Sequence, residues 1–272
     1  MTHLPHFQLY IDGAFTEGHT NQVMTSQNPA TGQDWATFAC AAPQDVERAV
    51  AAARRVLNEA AWRDMTQTAR GKLLYRLGEL IEENAAELGR LETTDSGKLL
   101  AETASQTGYV GAYYRYYAGL ADKIEGAVLP IDKPDMHVFT RREPIGVVVA
   151  IVPWNAQMFL TATKLGPALA AGCSVILKAS EIAPAPMLKF AELIEQAGFP
   201  QGVVSVITGD AENCAIPLTR HVDVDRIAFT GGPETARHVV RNSAENFAVT
   251  SLELGGKSPI LVFDDADLDG AA

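Results

Sequence analysis

"GVVVAIVPWNAQMFLTATKLGPALAAGCSVILKASE", residues 146–181, decides the fold. It opens on an unbroken apolar run, Val147–Val152, rich in β-branched side chains. The run is far shorter than the ~20 apolar residues needed to cross a bilayer. It fits a strand covered on both faces, as in a parallel sheet. A helical segment to Ala171 follows, then a second apolar run, Ser174–Lys178. Strand, helix and parallel strand form one crossover unit.

The alternation continues downstream. VVSVI at 203–207, RIAFT at 226–230 and AVTSLEL at 248–254 are each separated by helical stretches. The pattern predicts an α/β fold with a doubly wound parallel sheet. Ligands of such sheets bind beyond the carboxyl ends of the strands. Five polar, Gly-rich stretches are therefore expected along one edge. They start at Pro153-Trp154-Asn155, Lys178-Ala179-Ser180-Glu181, Thr208-Gly209-Asp210, Thr230-Gly231-Gly232 and Glu253-Leu254-Gly255-Gly256.

Upstream, the chain reads as mainly helical. Val46, Ala49, Val50, Ala53 and Leu57 share one helical face, as do Leu73, Leu77, Leu80, Ile81 and Leu88 within 69–92. A third helix is expected over 101–118, with Tyr109, Tyr113, Tyr116 and Tyr117 packing against neighbouring helices. Short strands at 128–131 and 136–141 flank the turn cluster Asp132-Lys133-Pro134-Asp135, a hairpin that projects from the body.

Composition excludes several functions. The net charge of −11 opposes nucleic-acid binding, which needs a basic surface. No membrane association is expected, and MTHLPHFQLYIDGAF has no apolar core of the signal-peptide kind. Cys40, Cys173 and Cys214 are odd in number and widely spaced, which fits a reducing cytoplasm and structural thiols. His3, His6, His19, His137, His221 and His238 show no metal-ligand spacing. There is no G-x-G. GGKS at 255–258 fails as a P-loop, because Ser251 stands where the first glycine belongs and Pro259 follows.

Taken together, VPWN (152–155), GPALAAGCSVILKASE (166–181), FTGG (229–232) and LELGGKSP (252–259) resemble the aldehyde dehydrogenase superfamily, in order and separation. The resemblance implies a Rossmann-like fold of that type with N-terminal helices and a projecting oligomerisation hairpin. It implies an NAD(P)-binding domain over 1–126 and 147–254, the hairpin over 127–146, and the start of a truncated catalytic domain over 255–272. SPILVFDDADLDGAA would be that domain's first strand and helix start.

The implied reaction is NAD-dependent oxidation of an aldehyde to a carboxylic acid. Asn155 matches the side chain that donates to the developing oxyanion, and Glu253 matches the general base. Lys178 and Glu181 match the pair on the adenosine ribose. Glu181 disfavours a 2′-phosphate, so NAD is expected over NADP. Thr230, Gly231 and Gly232 match the pyrophosphate turn at a helix N-terminus. Ile151, Val152, Pro153, Trp154, Ser180, Gly209 and Leu254 complete the implied cofactor site, and no metal is implied.

The chain departs from the family's common residues at several of these places. Gly232 stands where serine is common, Ala179 where proline is, Ala236 where glycine is, and Ala156-Gln157 where Phe-Pro is. The family's nucleophilic cysteine lies a few dozen residues beyond the glutamate, and none of the three cysteines matches it. The chain is therefore expected to be catalytically incomplete alone. The full enzyme is expected to be a homo-oligomer, a dimer or tetramer. The alternative reading is a non-catalytic dinucleotide-binding or interaction protein.

Overall fold

The computed structural model describes residues 4–271. The chain opens with five short strands, β1 (His6–Phe7), β2 (Leu9–Ile11), β3 (Ala14–Thr16), β4 (Val23–Asn28) and β5 (Gln33–Ala39). Five helices follow: α1 (Pro43–Val56), α2 (Ala60–Arg63), α3 (Gln67–Glu83), α4 (Ala85–Ser96) and α5 (Leu100–Leu120). A small hairpin, β6 (Val128–Leu129) and β7 (Val138–Phe139), precedes the main alternation. That alternation runs β8 (Val147–Ile151), α6 (Gln157–Ala171), β9 (Ser174–Lys178), α7 (Ala185–Ala197) and β10 (Val204–Ile207). It continues through α8 (Ile216–Arg220), β11 (Arg226–Gly231), α9 (Pro233–Ser243) and β12 (Val249–Leu254). A last turn of helix, α10, covers Leu268–Ala271.

The main sheet has seven strands in the order β12-β11-β8-β9-β10-β2-β3. From β12 to β10 every pairing is parallel. Strands β8, β9 and β10 are buried at every residue. One face is covered by α6 and α7, with α3, α4 and α5 packed outside them. The other face carries α1, α8 and α9. The doubly wound expectation holds.

The N-terminal strands were not expected. β2 pairs antiparallel with β10, and β3 with β2, so the parallel core gains an antiparallel edge. The tight turn between β2 and β3 is Asp12-Gly13, both at positive φ, as a two-residue hairpin loop with right-handed strand twist requires. β4 and β5 form a second hairpin, in a small separate sheet with β1.

Two other expectations need correction. The segment 69–92 is two helices, broken at Asn84. That residue's side-chain amide donates to the carbonyl of Leu80 at 2.7 Å, competing with helix continuation. Residues Ile260–Phe263 form no strand, because no neighbouring strand pairs with them among the described residues, and all four are exposed. The hairpin strands are also shorter than expected, two residues each.

The tyrosines of α5 divide. Tyr113 and Tyr117 pack on one another, and Tyr113 packs on Phe159, while Tyr109 and Tyr116 are exposed. The fully buried member is Tyr114, which stacks on Phe190. No described helix is long and apolar enough to cross a membrane. Ile176, fully buried at the middle of β9, should cost about 2–5 kcal/mol when cut to alanine. Tyr109→Ala should stay within about 0.5 kcal/mol, since that ring stands in solvent. Denaturant unfolding of the two variants tests the assignment of core and surface.

Candidate active site

The sheet order sets where a ligand can enter. From β8 the chain winds outward through β9 and β10 on one side, then crosses back to β11 and β12 on the other. The crossover loops after β8 and β11 therefore leave in opposite directions, and a crevice opens between their carboxyl ends. A groove of about 1040 Å³ lies there.

The groove gathers most of the expected site residues. Pro153, Trp154 and Asn155 enter from the loop after β8. Thr230, Gly231 and Gly232 enter from the end of β11, and Glu253 and Leu254 from the end of β12. Thr230 and Glu253 are register partners across the β11–β12 pair, so their backbones are adjacent. Asn155 and Glu253 are both exposed, on opposite sides of the switch point.

α9 begins at Pro233, directly after Gly232. The amides of its first turn lack intrahelical partners, which suits an anion. A Cβ added at Gly232 would meet nothing within 4 Å, whereas one at Gly231 would lie 2.5 Å from the Phe229 ring. Gly232 is open on its Cβ side, and tight packing favours glycine at Gly231.

The remaining expected residues lie along the same edge but outside this groove's lining. Lys178 ends β9, level with Ile151 of β8 and Ile207 of β10. Its ammonium is buried and donates to Glu181 at 2.5 Å. Glu181 itself has a side chain 37% exposed. Ile151 and Val152 are buried, and Val152 N–H donates to the Lys178 carbonyl at 3.3 Å. Ser180 Oγ accepts from Ile182 N–H at 3.3 Å, a turn-forming bond. Gly209 packs closely, since an added Cβ would lie 3.0 Å from the Cys214 Cβ.

One groove residue escaped the sequence reading. Lys164, on α6, is nine-tenths buried and donates to Thr230 Oγ1 at 2.6 Å. Burial pushes its ammonium below the ordinary lysine value, while the charge of Glu253 opposes that shift. The available signal was a lysine within the apolar helix TATKLGPAL, where a charged side chain needs a partner.

The thiols are poor nucleophiles. Burial is the main cause that raises Cys40 to about 11 and Cys214 to about 12, and it raises Cys173 as well. Cys173 touches the groove, but just before β9 begins, at the end of the sheet away from Asn155 and Glu253.

The sequence model of the aldehyde dehydrogenase family matches residues 15–272. A (Z)-2-((N-methylformamido)methylene)-5-hydroxybutyrolactone dehydrogenase of Acinetobacter baylyi is 59% identical over 97% of this chain and 54% of its own length. A mitochondrial benzaldehyde dehydrogenase of Antirrhinum majus is 41% identical over 97% of this chain and 50% of its own length. Among solved structures, a point mutant of betaine aldehyde dehydrogenase from Staphylococcus aureus, in complex with NAD+, superposes with a TM-score of 0.93 at 38% identity. It is covered over 96% of this chain and 53% of that one. PnpE in complex with nicotinamide adenine dinucleotide gives 0.93 at 41% identity, over 97% and 54%. The chain belongs to the aldehyde dehydrogenase family, and it spans about half the length of these relatives.

With all three thiols buried and raised, the native chain at pH 8 should show no fast-reacting cysteine towards a disulfide reagent. All three should react on denaturation. Rapid labelling of even one thiol in the folded chain would contradict the burial described here.

Proposed function

We propose, from membership of the aldehyde dehydrogenase family, that this chain provides the dinucleotide-binding part of an enzyme that oxidises an aldehyde to a carboxylic acid with NAD. One observation carries the reading. An amide donor, Asn155, and a carboxylate, Glu253, reach one groove from two strand ends, beside a helix N-terminus suited to a pyrophosphate.

The residues along this edge suit the cofactor. Lys178 and Glu181 offer a donor and an acceptor to the two hydroxyls of an adenosine ribose. A phosphate on the 2′ oxygen would instead face the Glu181 carboxylate. Two such charges ~4 Å apart repel by roughly 4 kcal/mol at an effective dielectric near 20. Lys178 and solvent reduce that figure without changing its sign, so NAD is favoured over NADP. The first-turn amides of α9 would hold the pyrophosphate. Ile151, Val152, Pro153, Trp154, Ser180, Gly209 and Leu254 serve as walls.

When bound, NAD supplies the hydride acceptor. The chain's own residues do the rest of what they can reach. The Asn155 amide donates to the carbonyl oxygen as negative charge develops there, a role whose loss typically costs ~10²–10³ in rate. Glu253 takes a proton from the water that releases the acid. Lys164, buried beside Thr230, places a positive charge near that carboxylate. No thiol of this chain is placed or ionised to attack the aldehyde, so the chain alone gives no turnover.

The butyrolactone relative supports a compatible substrate chemistry, since a 5-hydroxybutyrolactone is the ring-closed form of an aldehyde acid. The exposed hairpin of 127–146, with Val128, Leu129, Met136 and Phe139 in solvent, supports its role in a homo-oligomer. Three free thiols support a cytoplasmic protein, and the net charge of −11 supports partners other than nucleic acid. Residues 255–271 are read as the start of the catalytic domain, and residues 1–3 and 272 of the assigned spans lie outside the described residues.

Fluorescence titration of the 272-residue chain should show NAD binding more tightly than NADP. Lys178→Ala should weaken NAD by about tenfold or more, the worth of a charge-assisted hydrogen bond. With a panel of aldehydes, no NADH should form. Tighter NADP binding would overturn the cofactor choice, and an unchanged Kd for Lys178→Ala would overturn the site.

A further inference from the structure

Asn155 and Lys178–Glu181 sit on two different loops, one after β8 and one after β9. Their roots are joined by the sheet itself. Beyond the roots, nothing in the parallel ladder fixes how far apart the loops stand. Each loop ends by entering a helix whose preceding residue cannot cap it. Ala156 stands before α6 and Pro184 before α7, and neither provides a side-chain acceptor.

Buried side chains hold these loop ends instead. Gln157, the first residue of α6, is fully buried, and its Nε2 donates to the carbonyl of Ala183 at 2.5 Å. Ala183 lies two residues beyond Glu181, in the other loop. Gln157 Oε1 has no hydrogen-bond partner among the described residues, so the side chain's one bond is this cross-loop bond. Behind both loops runs α4. Its Asp95 accepts from the N–H of Ala185, the first residue of α7, at 2.8 Å, and from Trp35 Nε1 at 3.1 Å. Burial raises its Glu92, one turn earlier and fully buried, above the ordinary carboxylate value, while Lys98 and the backbone N–H groups of Met158 and Gln157 oppose that shift. α4 thus meets the N-terminal end of each helix, and Gln157 ties the two ends together.

We propose that Gln157 is a positioning residue that sets the separation of the two loops, and with it the distance between the nicotinamide and adenosine halves of the site. The role rests on the dinucleotide reading above. In that reading AMP reaches the loop of Lys178 and Glu181 and the turn before α9, but not Asn155. A whole dinucleotide must span both loops, so it alone feels their separation. The tie runs through a side chain that reaches no ligand itself, which separates its role from those of Asn155 and Lys178.

The test compares NAD with AMP on wild type and on Gln157→Met, which keeps the length and burial and removes the donor. NAD binding should weaken by about fivefold or more, of the order of one lost hydrogen bond, while AMP changes by less than about twofold. Equal loss for both ligands, or loss for neither, would overturn the role and leave the dinucleotide reading standing. Wild type that binds neither NAD nor AMP would remove that reading, and this role with it. A second measurement needs no variant: the Gln157 side-chain amide protons should exchange slowly, and more slowly with NAD than with AMP. Fast exchange in the free and NAD-bound chain alike would refute the tie directly.

Discussion

Everything in this molecule hangs on the parallel pairing of β8 with a neighbour on each side. β8 is buried at every residue and meets β9 along one edge and β11 along the other. A strand so placed has its backbone groups paired on both edges and both faces covered, so it cannot slip register without exposing its core. Asp225 reinforces the entry. Its carboxylate accepts from Val147 N–H at 2.7 Å and from Arg54 at 2.6 Å. A rigid strand then delivers Pro153, Trp154 and Asn155 to a fixed place, and the winding away on both sides leaves the groove open there.

Much of this was legible in the sequence, for a physical reason. Parallel strands covered on both faces are written as near-continuous apolar runs, and β8, β9 and β10 were visible as such, while β11 and β12 are partly exposed and were marked by their spacing in the strand–helix alternation. The five N-terminal strands were not. They are short and mostly at edges, and β4 and β5 are half exposed, so no run of apolar residues marks them. The Asp12-Gly13 pair was the one local signal for a hairpin. ILVF at 260–263 misled in the opposite direction, because strand propensity forms no strand without a partner to pair with.

The site shows the same division. Asn155, Glu253, Lys178 and the Gly231-Gly232 turn stand in motifs at strand ends, where spacing alone places them on one edge. Gln157, Glu92 and Asp95 were silent, and Lys164 was marked only by its place in an apolar helix. Each acts through a partner distant in sequence: Lys164 through Thr230, Gln157 through Ala183, Asp95 through Ala185. A lysine or glutamine within a helix reads as surface until the fold shows what it reaches.

These silent residues share a property that explains their cost. Burying a carboxylate disfavours its charge, and burial raises both Glu92 and Asp95 above their ordinary values. Packing alone would favour apolar residues at such positions. Helix N-termini change the balance, because their unpaired amides favour negative charge and need acceptors. With Ala156 and Pro184 supplying none, the acceptors must come from another layer, and α4 is the helix packed against α7 and the N-terminal hairpin. The loops that carry Asn155 and Glu181 are thereby fixed from behind, by groups out of solvent, while their front edges stay free of intramolecular crowding. For the dinucleotide proposed above, that arrangement places the rigidity on the side the ligand would not occupy.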